Sequence, residues 1–309
     1  MDFQDAGNWC LIESDPAIFT EMIRKMGVSG VQVEELYDLD AANFNSLHPI
    51  YGLIFLFKWR QGDEPSGEIV RDPKNVYFAQ QVISNSCATQ AIINLLLNIK
   101  SEDVKVGKIL EEFKSFTNSF DPTNRGLCLS NSEDIRTIHN SFGRQSYFEL
   151  ENLNGESEEV FHFVAYLPIN GRIYELDGLR PAPIDHGEYD ITKGWMTCVV
   201  PKFEQRMKTY TEGDIHFSLM AVVGDKLTKF ENQIEALEEA QVGDENELEI
   251  QTLRRLIEEE TDKREILVKE SIRRSHNYLP FLVELLKVLA KENKLVPLVE
   301  KELRKQMNK

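Results

Sequence analysis

The sequence predicts an α/β domain over residues 1–224, followed by an all-helical extension over residues 225–309. Apolar runs typical of buried strands, such as 51–59 and 216–223, are interspersed with helical patterns in the first part. The first 225 residues also hold 16 of the 17 glycines and 9 of the 11 prolines, as expected of a loop-rich domain. Only helical periodicity follows, so we place the boundary after Gly224.

The first predicted element is an amphipathic helix that begins at Asp15-Pro16. Asp is a favourable N-cap residue and proline fits the first helical turn. Phe19, Met22 and Ile23 then recur on one face, which predicts that this face packs against the core.

The extension contains four helical patterns. The first is amphipathic and ends at Gly243, and the second continues to about Ile272. Pro280 and Pro297 suit the first turns of two further helices. Their apolar stripes need burial, and two alternatives stay open: packing within this chain, or contact with a second copy or another protein. The stripe of the first helix consists of Leu227, Phe230, Ile234 and Leu237.

The charge distribution argues against nucleic acid as the main ligand. The chain has a net charge of −17, and residues 1–224 hold 19 Lys and Arg against 33 Asp and Glu. Residues 225–309 are nearly balanced, with 16 basic and 19 acidic residues. An acidic domain suits a partner with a basic surface or tail.

Membrane and metal-binding classes are also disfavoured. No apolar run approaches the roughly 20 residues of a membrane-spanning helix, and the first residues lack the pattern of a signal peptide. The four cysteines are far apart and form no CxxC pair, so we expect no metal, cofactor or disulfide framework. These features favour a reducing compartment, the cytoplasm or nucleus. The cysteines are Cys10, Cys87, Cys128 and Cys198.

Cys87 lies at the predicted start of a helix, with Asn85 or Ser86 as the N-cap. Unpaired N–H groups and the helix dipole at this position stabilise a thiolate, the form that acts as a nucleophile. The alternative is a structural cysteine in a core helix. The other three cysteines lack this setting, and we predict structural roles for them. The apolar stripe of the helix consists of Ala88, Ala91, Ile92, Leu95 and Leu96.

His162 is the histidine that the sequence pairs with an acid. The dipeptide Asn170-Gly171 separates two alternating apolar runs and predicts a two-residue hairpin turn. Its register places Val164 opposite Asp177, so that His162 and Asp177 are diagonal neighbours on one face, about 7–8 Å apart at the backbone. Such an acid orients an imidazole for acid–base catalysis. A surface pair that merely shares a face is the alternative, and the other histidines lack an acid placed by such a turn.

Gln81 lies six residues before Cys87. Its amide and the N–H of Cys87 are candidate donors to the oxyanion of a tetrahedral intermediate. The offset alone does not distinguish this role from that of an ordinary loop residue.

Together these segments resemble the ubiquitin C-terminal hydrolase family, a papain-like group of cysteine proteases. The matching segments are 8–16 (NWCLIESDP), 81–90 (QVISNSCATQ), 161–168 (FHFVAYLP) and 174–178 (YELDG), in the family's order. The resemblance implies an α/β (α+β) papain-like fold: a six-stranded, central antiparallel sheet flanked by helices, with a knotted backbone. It also implies a loop, about residues 145–159, that crosses over the active site.

The resemblance implies a thiol-dependent ubiquitinyl hydrolase, which cleaves the bond after the C-terminal glycine of ubiquitin without a cofactor. Cys87 is then the nucleophile, His162 the general acid/base, Asp177 the orienting acid and Gln81 the oxyanion donor. The C-terminal tail of ubiquitin is basic, in agreement with the acidic domain. A ubiquitin-binding scaffold with a poorly aligned triad and a hydrolase for a ubiquitin-like modifier are the alternatives.

Segments 273–282 (RRSHNYLPFL) and 295–301 (LVPLVEK) resemble the longer, proteasome-associated members. Those members dock through their helical tail on a ubiquitin-receptor subunit of the 19S regulatory particle. Some also join a chromatin-remodelling complex through a different adaptor. The resemblance implies that Tyr278, Phe281 and Leu285 belong to the partner surface.

Overall fold

The fold is built on one antiparallel sheet, in which the order of the strands differs from their order along the chain. The structure, a computed structural model, describes residues 9–39, 44, 47–58, 67–71, 73–143, 161–209, 217–239 and 244–307. The loop expected to cross the active site, 145–159, lies outside the described residues, as does His216 of the strand expected at 216–223.

The sheet has seven strands, one more than the six that the resemblance implies. They are β1 (Val31–Glu35), β2 (Ile50–Lys58), β3 (Glu68–Ile69), β4 (Phe161–Ile169), β5 (Arg172–Leu176), β6 (Ile184–Glu188) and β7 (Ser218–Gly224). Their order in the sheet is β1-β7-β2-β4-β5-β6-β3, and every neighbouring pair is antiparallel. The edge strand β3 has only two residues, too few to leave a periodic pattern in the sequence.

Helices cover the sheet and form the C-terminal part of the chain. None of those within the described ranges is long and apolar enough to cross a membrane. They are α1 (Pro16–Lys25), α2 (Cys87–Leu96), α3 (Lys108–Thr117), α4 (Pro122–Asn131), α5 (Glu133–Asn140), α6 (Met196–Thr209), α7 (Lys226–Glu239), α8 (Asp244–Ser275), α9 (Leu279–Lys291) and α10 (Leu295–Met307).

The sheet separates two apolar clusters, because successive side chains of a strand point to opposite faces. Phe163 and Ala165 of β4 face the larger cluster, which contains α1 and α2. Val164 and Tyr166 face the smaller cluster, which contains Phe203 of α6. Burial on both faces explains why β2 and β4 read as nearly continuous apolar runs.

The predicted first helix and hairpin are confirmed. Asp15 caps α1 by accepting a hydrogen bond from the N–H of Ala17 at 2.8 Å, and the three predicted apolar side chains are fully buried. Asn170 and Gly171 both have positive φ, 51° and 81°, as a type I′ turn requires. The β4–β5 register pairs Ala165 with Leu176, as the turn predicts.

The two halves of the extension differ in how far their apolar side chains are buried. Helix α7 packs on α8, and α8 also packs on α1, with Leu253 of α8 buried. Helices α9 and α10 pack on each other, but most of their large apolar side chains are exposed. The exposed side chains include Phe281 (63 %), Leu282 (48 %), Leu286 (49 %), Val296 (65 %) and Leu298 (50 %).

Candidate active site

Cys87 is the first residue of α2, as the sequence predicts, and it is half-buried. Ser86 is the N-cap residue, one of the two that the sequence predicts, but its side chain makes no capping hydrogen bond. The Ser86 hydroxyl donates to the carbonyl of Ile83 at 2.9 Å, and Asn85, with φ of 66°, donates its amide to the carbonyl of Trp9 at 3.2 Å. Both side chains therefore fix the loop before the helix. No cap side chain accepts the N–H groups of the first turn, which suits an anion-binding site.

Three buried amides, two on one face of α2 and one just after its end, hold the chain that leads to this loop. Asn98 exchanges two hydrogen bonds of 2.7 Å with the backbone of Tyr77, and Asn94 makes two with Ala79, at 2.8 and 3.0 Å. Gln90 donates to the carbonyl of Ala79 as well. Segment 77–79 thus runs beside the helix with its peptide groups paired, and it positions Gln81 relative to Cys87.

His162 and Asp177 are hydrogen-bonded in the structure. The Nε2 atom of His162 lies 2.6 Å from Oδ1 of Asp177, and both side chains are buried. The same oxygen accepts the N–H of Leu179 at 2.9 Å, while Arg180 approaches Oδ2 at 3.5 Å. The carboxylate therefore has partners for its charge. Since Nε2 faces Asp177, Nδ1 is the ring nitrogen left for Cys87.

The pKa of His162 is raised from 6.5 to about 9. Burial opposes the charged imidazolium and lowers the pKa, but the hydrogen bonds and charges of Asp177 and Cys87 outweigh it. At neutral pH the imidazolium form dominates. An imidazolium at this position can give a proton to a leaving group.

A second layer supports the imidazole on the same face of the sheet. The ring of Phe57 lies edge-on to His162, with centroids 5.8 Å apart. The guanidinium of Arg206 lies 4.2 Å above the Phe57 ring and bonds Glu175 at 3.0 Å. Glu175 also accepts from His186 at 2.9 Å. Burial opposes the charge of Glu175, yet His186 and Arg206 lower its pKa to about 2.

The sequence did not reveal this layer. His186 also has a paired acid, Glu175 on the neighbouring strand β5, although no predicted hairpin turn places the two together. One signal was present: Glu175 lies two residues before Asp177 and therefore on the same face of β5. Its partners Arg206 and His186 are distant in sequence, and no local pattern brings them together.

Gln81 lies beside the start of α2, as the oxyanion prediction requires. Its backbone N–H donates to the carbonyl of Gly178 at 2.8 Å, which joins this loop to the end of β5. Its Nε2 donates to the carbonyl of Ile83 at 3.0 Å and has a second N–H for another acceptor. Its Oε1 is buried and has no partner among the described residues. Of the Gln81 amide, only the nitrogen is therefore held by a hydrogen bond.

The structure thus brings Cys87, His162, Asp177 and Gln81 into one site, and places Tyr278, Phe281 and Leu285 together on the distant α9 region. The remaining three cysteines are half-buried and unpaired. In the part of the chain that the structure describes, no group of His, Cys, Asp and Glu could hold a metal ion.

Comparison with known families decides the class of this site. Residues 9–208 match the profile of "Ubiquitin carboxyl-terminal hydrolase, family 1". The chain belongs to this hydrolase family. Residues 250–295, within α8 to α10, match a second profile, "Ubiquitin carboxyl-terminal hydrolases". The chain is accordingly a ubiquitin C-terminal hydrolase and a cysteine protease.

Relatives of this hydrolase match nearly its whole length. It is 53% identical to ubiquitin carboxyl-terminal hydrolase ubh-4 of Caenorhabditis elegans over 296 residues, which cover 96% of this chain and 92% of the relative. It is 38% identical to isozyme L5 of Dictyostelium discoideum, over 95% of this chain and 94% of that one.

A solved structure is also similar. Trichinella spiralis UCH37 bound to ubiquitin vinyl methyl ester superposes with a TM-score of 0.72 at 45% identity. The match covers 84% of this chain and 100% of that one. The α/β fold, with one antiparallel sheet and C-terminal helices, therefore matches that of UCH37 and is consistent with the longer, tailed members of the family.

Proposed function

We propose that this hydrolase binds ubiquitin and cleaves the bond after its C-terminal glycine, with Cys87 as nucleophile, His162 as general acid/base, Asp177 as orienting acid and Gln81 as oxyanion donor. The observation that carries the proposal is the buried His162–Asp177 hydrogen bond of 2.6 Å, with Cys87 at a helix start beside the same imidazole. The related Trichinella structure, bound to ubiquitin vinyl methyl ester, supports ubiquitin as the ligand.

The chemistry follows from the protonation states. The Cys87 thiolate attacks the carbonyl carbon of the terminal glycine and forms a tetrahedral intermediate. The second N–H of the Gln81 amide and the N–H of Cys87 stabilise its oxyanion. Imidazolium His162 gives its proton to the leaving amine, which leaves a thioester on Cys87.

Hydrolysis of the thioester reverses the proton transfer. Neutral His162 accepts one proton from the water that attacks the thioester carbonyl, and the Cys87 thiolate leaves. The carboxylic acid of ubiquitin gives its remaining proton to solvent and is released as the carboxylate. Asp177 holds the tautomer in which Nε2 carries a proton, so that Nδ1 faces the reaction. The acidic domain favours approach of a basic peptide tail.

The test is hydrolysis of a ubiquitin C-terminal amide reporter by Cys87→Ala. We expect turnover to vanish while ubiquitin binding stays within a few-fold of wild type, because the change removes only the nucleophile. Cys128→Ala, which changes a half-buried cysteine of α4, is the control and keeps wild-type turnover. Hydrolysis by Cys87→Ala would contradict the assignment.

The same assay decides between the alternatives. Faster cleavage of a matched reporter built on a ubiquitin-like modifier would assign the site to that modifier. Wild-type chain that binds ubiquitin but does not turn over the reporter would support the scaffold. The buried hydrogen bond between His162 and Asp177 argues against a poorly aligned triad.

We further propose that the extension, residues 225–309, docks on a ubiquitin-receptor subunit of the proteasome 19S regulatory particle. What supports this proposal is the contrast within the extension. The apolar stripe of α7 is half-buried against α8, and Leu253 of α8 is buried, whereas Tyr278, Phe281 and Leu285 are 48 %, 63 % and 42 % exposed. An exposed apolar surface of this kind is typical of a protein interface. A chromatin-remodelling partner and a cytoplasmic and nuclear location stay predictions.

The docking proposal is tested with purified 19S particles. The double variant Phe281→Ala/Leu285→Ala should lose binding but keep wild-type turnover of the reporter. Ile266→Ala, which truncates an exposed apolar side chain of α8, is the control and should bind normally. Equal binding of all three proteins would place the docking surface elsewhere.

A further inference from the structure

Gly178 joins two parts of the site that different segments supply. It follows Asp177 directly, at the end of β5. Its carbonyl accepts the backbone N–H of Gln81 at 2.8 Å. The strand that carries the orienting acid is thereby fastened to the loop that carries the oxyanion donor.

The contact at Gly178 leaves no room for a side chain. A Cβ atom there would lie 2.9 Å from Cβ of Gln81, 3.3 Å from Cγ of Gln90 and 3.4 Å from the backbone nitrogen of Gln81. A carbon–carbon contact below about 3.5 Å is already repulsive. The Gln81 Cβ cannot rotate away, because it is bonded directly to the backbone. The strain falls on the Gln81 backbone.

The backbone conformation does not itself demand glycine. The φ of Gly178 lies outside the left-handed region, so alanine is conformationally allowed there. The requirement for glycine comes from the close approach of two segments, which are 97 positions apart in sequence. Each of these segments carries a residue of the proposed catalytic machinery.

The amide of Gln81 is sensitive to such a shift. It has one fixed contact, the 3.0 Å hydrogen bond from Nε2 to Ile83, and its Oε1 lacks a partner in the described part of the chain. Oxyanion stabilisation depends on donors being placed to within a fraction of an ångström of the position the oxyanion will occupy.

We propose that Gly178 is a positioning residue for oxyanion stabilisation: its missing side chain sets the distance between the end of β5 and Gln81. The proposal rests on the proposed role of Gln81. Gly178 acts in the transition state of acyl transfer, through Gln81. It leaves the His162–Asp177 hydrogen bond and the formation of the Cys87 thiolate unaffected.

Gly178→Ala should therefore lower kcat on a ubiquitin amide reporter by about 10- to 100-fold, somewhat less than the loss of a whole oxyanion donor. KM should stay near the wild-type value. The rate at which iodoacetamide alkylates Cys87 should also stay unchanged, because that reaction needs the thiolate but develops no oxyanion. A parallel fall in alkylation would show that the substitution disturbs the nucleophile, and would overturn the proposal.

Gly224→Ala is the matched control. A Cβ on Gly224, at the end of β7, would lie 3.1 Å from the Pro49 ring, a similar crowding outside the proposed catalytic residues. It should lower the melting temperature as much as Gly178→Ala does, but leave kcat unchanged. An equal loss of kcat in both variants would assign the effect to general destabilisation.

A double-mutant cycle with Gln81→Ala separates the two proposals. If Gly178 acts through Gln81, Gly178→Ala should cost nothing further in the Gln81→Ala background. Wild-type turnover by Gln81→Ala would refute the oxyanion role, and the positioning role with it. Loss of turnover by Gln81→Ala but not by Gly178→Ala would refute the positioning role alone.

Discussion

At the residue scale, His162 shows how a buried base keeps its proton. Burial alone would make the imidazole neutral, but an acid at 2.6 Å and the neighbouring thiol raise its pKa to about 9. At neutral pH the imidazole therefore carries a proton that it can donate during the reaction.

The stability of the chain should show this pKa shift. The pKa of His162 in the folded state is raised above 6.5, so the protonated imidazole stabilises the folded state. This stabilisation is fully present below about pH 6.5 and is lost as pH rises through 9. Asp177→Asn removes the main partner of the imidazolium. The gap in the free energy of unfolding between wild type and Asp177→Asn should therefore be largest below pH 6.5, by about 3 kcal/mol, and narrow towards pH 9.

Urea titrations between pH 6 and 9.5 measure this gap. Asp190→Asn is the control: Asp190 is exposed and its pKa, lowered by hydrogen bonds from Thr192, lies far below this range. The difference in the free energy of unfolding between wild type and Asp190→Asn should not vary with pH. A constant difference for Asp177→Asn would contradict the raised pKa of His162 beside Asp177. The same variant should lose most of its kcat, roughly 10⁴-fold if it behaves as other triads do.

Residues whose relationship is set by local geometry could be predicted from sequence. The Asn170-Gly171 turn fixes the β4–β5 register, and the register places Asp177 beside His162. Arg206 could not be predicted, because it reaches Glu175 and Phe57 from a helix whose docking depends on the whole fold. The crowding at Gly178 escapes sequence reasoning for the same reason.

At the element scale, α2 does more than present Cys87. Its predicted apolar stripe is buried, yet Gln90 and Asn94 on another face are buried too, as is Asn98 just after the helix. They recur every four residues and so lie in a row. Their amides replace the strand that would otherwise satisfy the backbone of segment 77–79. Periodicity predicted the helix, but the polar row is visible in the sequence only after the buried segment is known.

Asn94→Leu tests the amide row. The change keeps a side chain of similar volume but leaves the N–H and C=O of Ala79 without the partner that Asn94 supplies to both. We expect a loss of about 1–3 kcal/mol in the free energy of unfolding, the cost of one unpaired buried polar group, because Gln90 still donates to the C=O of Ala79. Chemical denaturation measures it.

Asn131→Leu is the control for this measurement. Its amide donates to the carbonyl of Leu127 on the exposed side of α4, where water can replace it. The free energy of unfolding of Asn131→Leu should stay within about 0.5 kcal/mol of the wild-type value. If Asn94→Leu is equally mild, the amides are not what holds segment 77–79.

At the scale of the whole molecule, strand order is what the sequence could not provide. Strand β7 lies between β1 and β2, although it follows them by more than half of the chain. Periodicity identifies strands but does not say which of them pair across such distances. The helical extension was easier, because each of its helices begins near a predicted break. The position of the extension against the α/β domain was not predictable. Charged pairs between residues far apart in sequence contribute to it, and these leave no periodic pattern.

Asp225 is the centre of these pairs. It lies between β7 and α7 and bonds Arg24 of α1 at 3.1 Å and Arg264 of α8 at 3.2 Å. Burial opposes its charge, but the N–H of Thr228 and the two guanidinium groups lower its pKa. Arg264 also donates to Gln32 of β1 at 2.6 Å. One basic side chain thereby connects the extension to the strand and the acid at the edge of the sheet.

Arg264→Gln should loosen α8 without unfolding the α/β domain. The variant removes the charge that pairs with Asp225, and Arg24 and Gln32 are left with fewer partners. Hydrogen exchange of the backbone amides around residues 260–275 should become about tenfold faster, since a hydrogen bond to a charged group contributes about 1.5–3 kcal/mol and part of it is retained. Exchange in β4 and β5 should not change.

Arg255→Gln, on the same helix, is the matched control. Its pair with Glu259 is 3.6 Å long, local to the helix and exposed on both sides. Exposed pairs of this kind contribute little, so exchange should stay at the wild-type rate. The Arg264 effect should change little with salt, because the side chains of Arg264 and Asp225 are largely buried and salt screens such pairs weakly. Wild-type exchange in Arg264→Gln at low salt would mean that the apolar contacts of α8 with α7 and α1, rather than its charges, hold the extension against the catalytic part.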